Sequence, residues 1–117
     1  MQLCEFPIVI LVSPGRPNIT VTDIEASSVI VRWTKPVYNG GSPVIQYKLV
    51  IDSKTFNITA PKTHQSVGGL TKDTEYEVKV YAKNVVGYGN ASTAVFTTKK
   101  QGNVAFMMVA FVEFVLS

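Results

Sequence analysis

Hydrophobic and polar residues alternate through most of the chain. In "SSVIVRWTKP", Val29, Val31 and Trp33 share one parity and Ile30, Arg32 and Thr34 the other, until Pro36 stops the run. Successive side chains of a strand point to opposite faces, so a period of two marks a half-buried β-strand. "VIQYKLVID" repeats the pattern, with Ile45, Tyr47, Leu49 and Ile51 on one face and Gln46, Lys48 and Val50 on the other. "TEYEVKVYAKN" is the cleanest case: Tyr76, Val78, Val80 and Ala82 point inward, and Glu77, Lys79, Tyr81 and Lys83 outward. Between these runs, "SKTFNITAPKTHQSVGGL" predicts two brief strands, around Phe56–Ile58 and His64–Val67, separated by Pro61, which cannot sit in a central ladder. "NITVTDI" opens the series and "STAVFTTKK" closes it, the latter readable in either phase. Seven short strands divided by turn signals predict an all-β fold, a seven-stranded antiparallel immunoglobulin-like sandwich.

The two ends break the pattern. "FPIVILV", Phe6 to Val12, is continuously apolar, but Glu5 stands where a secretory leader carries positive charge, and "SPGRP" offers no small-x-small cleavage site. It reads as a fragment edge or a weak signal-like segment. The run from Val104 to Leu116 is interrupted by Glu113 and falls short of the roughly 20 residues that span a bilayer. A truncated end, a clipped membrane anchor and an extra packed strand all remain open for it. The expected organisation is thus an extension over 1–13, one domain over 14–101 and an apolar tail over 102–117.

With 117 residues, the chain holds one core and not two. Its 11 Lys and Arg exceed its 8 Asp and Glu by a little, and the basic residues are scattered apart from Lys99-Lys100. Scattered lysines describe a solvated surface, not the clustered basic and aromatic footprint of a nucleic-acid binder. The single cysteine, Cys4, excludes an internal disulfide and a cysteine-based zinc site, and leaves the redox compartment open.

From Pro14 to Lys100 the chain resembles a fibronectin type III domain. The resemblance rests on "SPGRPNITVTDI", Trp33 on the second strand, "PVYNGGSPVIQYKL" crossing between sheets, "GLTKDTEYEVKVYAKNVVGYG" and a Thr-rich last strand. It implies a tyrosine corner from Leu70, Thr74 and Tyr76, with the phenol bonded to backbone just upstream. The expected core comprises Trp33, Tyr47, Leu49, Leu70, Tyr76, Val78 and Val80. An immunoglobulin domain proper would carry two strand cysteines around its tryptophan, and no cysteine lies between Arg16 and Gln101. Gly40 and Gly41, after Asn39, are expected to turn the chain at positive φ.

Catalytic chemistry has little to stand on. The only histidine, His64, has no carboxylate or thiol near it in sequence, so no triad or histidine metal set can be written. Gly40-Gly41 and Gly68-Gly69 lack the strand-to-helix context of a phosphate cradle. Asp73 and Glu75 flank the expected corner, too few for a calcium site. No catalytic residue, cofactor or metal is assigned. Three sequons, at Asn18, Asn57 and Asn90, exceed the roughly one expected by chance and are candidate glycosylation sites.

If the strands holding Lys48 and Tyr81 are neighbours, as the resemblance implies, then Lys48, Val50, Lys79, Tyr81 and Lys83 share an outward face. Such a surface suits an acidic protein or a sulfated glycan. No Arg-Gly-Asp tripeptide is present. The resemblance therefore implies a non-catalytic interaction or spacer module of an extracellular or cell-surface adhesion or receptor protein. Fibronectin- or immunoglobulin-like domains would be its neighbours, with no nucleic-acid partner and membrane contact only through a truncated anchor. The alternatives are a cytoplasmic, muscle-type filament module, or an accessory domain of a receptor kinase or phosphatase.

Overall fold

The structure, a computed structural model, describes residues 10–100. Seven strands and no helix are found among them: β1 (Asn18–Thr22), β2 (Val29–Thr34), β3 (Gln46–Ile51), β4 (Lys54–Thr59), β5 (His64–Val67), β6 (Glu75–Lys83) and β7 (Ser92–Thr97). They form two antiparallel sheets, β1-β2-β5 and β4-β3-β6-β7. The predicted sandwich is borne out. The expected segments around Phe56–Ile58 and His64–Val67 are β4 and β5, and the chain changes sheet between them through the cis peptide Ala60-Pro61. The terminal expectations at Met1–Val9 and Gln101–Ser117 lie outside the described residues.

The buried parity of each strand fills the space between the sheets. Val29, Val31 and Trp33 come from β2, Tyr47, Leu49 and Ile51 from β3, Val78, Val80 and Ala82 from β6, and Phe96 from β7. Trp33 is 3% exposed, with its ring centroid 5.5 Å from that of Tyr47. Cutting so large a buried side chain to alanine costs about 3–5 kcal/mol, much of the stability of a small domain. Leu70 is buried, whereas Tyr76 is half-buried, its ring stacked on Phe96 at 5.8 Å. The Thr71 N–H donates to Tyr76 Oη at 2.8 Å, the backbone bond of a tyrosine corner. Thr98, also buried, braces the same turn by donating to the Thr71 carbonyl and accepting from the Thr74 N–H.

Ile45 departs from the sequence reading. It precedes the first residue of β3, so the strand's strict alternation does not extend to it. Ile45 is 45% exposed and lies just outside β3; Val44, of the opposite parity, packs on the core instead. Both backbone groups of Ile45 are used, its N–H by the Lys83 carbonyl and its carbonyl by the Ala60 N–H.

Asn84 is wholly buried and continues the inward parity of β6 beyond Ala82. Its Nδ2 donates to the carbonyls of Val12 (2.7 Å) and Asn39 (2.9 Å), and its Oδ1 accepts from the N–H groups of Val86 (2.9 Å) and Gly87 (3.3 Å). One amide thus ties the leading segment, the β2–β3 loop and the β6–β7 loop together. Gly40, at φ 80°, lies in that knot, and a Cβ there would collide with the Val12 carbonyl oxygen. The positive φ at Gly40 and Gly41 matches the expected turn.

Candidate functional site

The outer face of the four-stranded sheet collects the second parity of β3 and β6. Antiparallel register sets Gln46 opposite Lys83, Lys48 opposite Tyr81, and Val50 opposite Lys79. Directly opposed residues of an antiparallel pair share a face and touch, so Lys48, Lys79, Tyr81 and Lys83 form one patch. On the other side of β3, Lys48 pairs with Asn57 of β4.

Within the patch the side chains are organised. Lys48 Nζ lies 4.7 Å from the Tyr81 ring centroid and 4.5 Å from that of Tyr88, and Lys83 Nζ lies 5.4 Å from Tyr88. The two tyrosines meet edge to face at 6.3 Å. Gln46 Nε2 donates to Tyr88 Oη at 3.0 Å and fixes that ring against the sheet. The ring quadrupole attracts an ammonium, so each lysine is held above an aromatic surface while its head stays in reach of water. Tyr88 escaped the sequence reading, which placed Gln46 on this outward parity but not in the candidate face. Tyr88 lies in the turn "VVGYG", beyond the alternation, and only the isolated bridge Lys83–Tyr88 folds it back onto the face.

The other half of the face has the opposite character. Asp52, Glu75 and Glu77 line an open groove of ≈ 590 Å³ with Val50, Lys79 and Tyr81. Lys79 Nζ lies 3.9 Å from Glu77 Oε1, an exposed pair worth under about 1 kcal/mol but enough to offset the lysine's charge. Lys79 therefore divides the basic half of the face from the acidic half.

The remaining candidates are scattered. Asn18 lies at the start of β1, Asn57 on β4 and Asn90 in the loop before β7, all three exposed. His64 is exposed on β5, with Arg32 as its register partner. Asp73 and Glu75 are exposed, and no group of three or more His, Cys, Asp or Glu is placed to hold a metal ion among the described residues. No helix among those residues is long and apolar enough to cross a membrane.

Burial sets the ionisation of one core residue. Desolvation holds the Tyr47 phenol above its ordinary pKa, and neither its hydroxyl nor Trp33 Nε1 finds a protein hydrogen-bond partner among the described residues.

The family model for the fibronectin type III domain matches residues 13–98. The chain belongs to that family. Among its relatives, striated-muscle M-protein of Gallus gallus is 35% identical over 92 residues, covering 70% of this chain. Receptor-type tyrosine-protein phosphatase S of Gallus gallus is 33% identical over 73% of this chain, and the protein sidekick homolog of Caenorhabditis elegans 33% identical over 68%. The matched region spans only 6%, 6% and 4% of those relatives' own lengths. Among solved structures, domains d3–d4 of the rat CD45 extracellular region superpose with a TM-score of 0.66 at 26% identity, over 75% of this chain and 51% of theirs. Titin domains A168–A170 do so with 0.63 at 26%, over 74% of this chain and 32% of theirs. Fibronectin type III domains of this sequence type thus occur both in receptor proteins and in muscle proteins.

Proposed function

We propose that the chain, through a domain over residues 14–101, is a non-catalytic contact and spacing module of a cell-surface adhesion or receptor protein. The observation that carries the reading is the placement of the sequons: Asn18, Asn57 and Asn90 are all exposed, Asn57 on β4, Asn18 at the start of β1 and Asn90 in the adjoining lead-in to β7. A glycan at any of them displaces no core residue, and three such positions exceed what chance supplies. The similarity to a receptor-type phosphatase and a sidekick homolog supports the same setting. The interior is filled by apolar side chains, which leaves the outer faces and loops to meet partners. Neighbouring fibronectin- or immunoglobulin-like domains are the natural flanking partners.

Expression of the chain behind a secretory leader, followed by endoglycosidase digestion, tests the setting. A downward mobility shift is expected, abolished when all three asparagines are replaced by glutamine. Secreted protein with no shift would refute the glycoprotein reading. A second reading, a module of an intracellular muscle filament, draws on the 35% identity to M-protein, and native protein recovered unglycosylated from a myofibrillar fraction would favour it.

A further inference from the structure

We propose that the basic half of the outer face is an anion site for a sulfated glycan, formed by Lys48, Lys83 and Tyr88 with Gln46 behind them. This rests on reading the face as a contact surface and goes further by naming the chemistry it takes.

Lys48 and Lys83 both lean on the Tyr88 ring, and Lys48 also lies over Tyr81. A π-face attracts an ammonium but leaves its N–H groups free to donate to oxygen acceptors. Neither lysine has a carboxylate within ion-pair distance: the ion pairs among the described residues are Lys79–Glu77 and Lys99–Glu25. Both are half-buried, so their charges are partly desolvated, fixed in place and not neutralised. Tyr88 Oη accepts from Gln46 Nε2, which leaves its own proton to donate away from the sheet. Two ammoniums and a phenol thus converge on one small area with donors only.

The donor set selects the ligand. A planar carboxylate is matched best by the bidentate fork of arginine, and the outer parities of β3 and β6 hold no arginine. Lysine is a point charge with three rotatable donors, which suits the separate oxygens of a sulfate ester. The half-buried rings of Tyr81 and Tyr88 add an apolar surface for a sugar ring. Asp52, Glu75 and Glu77 repel an anionic chain at one end of the face, and the sequon asparagine Asn57 is the β4 partner of Lys48, so the ligand reaches the two lysines from the side of the β6–β7 loop.

The experiment uses the full chain made in bacteria, without glycans, and a size-defined heparin oligosaccharide titrated by calorimetry at low salt. Lys48→Met with Lys83→Met removes both charges while keeping apolar stems on the rings, and should weaken binding about tenfold or more. Tyr88→Phe should weaken it about threefold, and Lys62→Met with Lys72→Met, two exposed lysines elsewhere, should change it less than about twofold. Thermal melts verify that each variant is folded. No heparin binding by the unmodified chain, or an equal loss in the Lys62 and Lys72 variant, would overturn the proposal. So would a polyglutamate peptide binding as tightly as heparin, which would make the ligand an acidic peptide. Each of these results leaves the endoglycosidase outcome untouched.

Discussion

Two tyrosines of the same sandwich should respond oppositely to losing a hydroxyl. Tyr76 Oη accepts the Thr71 N–H at 2.8 Å, so Tyr76→Phe removes a hydrogen bond with a net worth of about 1 kcal/mol. Tyr47 is 0% exposed and its hydroxyl has no protein partner among the described residues, so the folded state carries the cost of desolvating that group. The penalty for a buried unpaired hydroxyl is about 1–3 kcal/mol in mutational data. Tyr47→Phe keeps the ring beside Trp33 and removes only the oxygen, so it should stabilise the domain by about 1 kcal/mol. The variants should then differ by about 2 kcal/mol, which moves melting temperatures apart by roughly 8–16 °C for a domain of this size. Urea unfolding followed through the single tryptophan, Trp33, reads both, because its environment changes on unfolding and neither substitution removes it. Alkaline pH gives an independent check. Burial raises the folded pKa of Tyr47 above its unfolded value, so the folded state holds this proton more tightly than the unfolded chain. Its contribution to stability is complete below the unfolded pKa of about 10 and is lost as pH rises from there through the folded pKa. Tyr47→Phe should flatten that alkaline decline. A loss of 1 kcal/mol or more in Tyr47→Phe, with the decline unchanged, would show that the hydroxyl is satisfied and refute the argument.

Asn84→Ala removes four hydrogen bonds at once and leaves the Val12 and Asn39 carbonyls unpaired in the knot; a loss of about 2–4 kcal/mol is expected by urea titration, together with faster amide exchange at Val86 and Gly87. Tyr81→Ala takes away one of the two rings beneath Lys48 but no core side chain, so stability should change by under about 1 kcal/mol while heparin affinity falls. A large drop in melting temperature would place Tyr81 in the core and shift the register of β6 by one residue.

The period-two pattern disclosed the strands and most inward positions because the direction of a side chain along a strand is a local property of the backbone. Trp33, Leu49, Val78 and Val80 needed nothing further, and the outward set of Lys48, Lys79, Tyr81 and Lys83 follows from the same parity. Ile45 obeyed the pattern and is nonetheless exposed, since it lies just before β3 and Val44 takes the inward place there. β7 reads in either phase; pairing with β6 turned Ala94 and Phe96 inward and left Val95 57% exposed. Asn84 continued the inward parity of β6 and was visible in that sense, but a buried amide is meaningful only once Val12, Asn39 and Gly87 converge on it. The contact surface divides in the same way. The alternation named its lysines, whereas the placement of Lys48 over two rings depends on strand register and on a turn that returns Tyr88 to the sheet. Strand identity is written in neighbouring residues; register, the point where a strand begins and the meeting of loops are long-range outcomes that only the assembled sandwich decides.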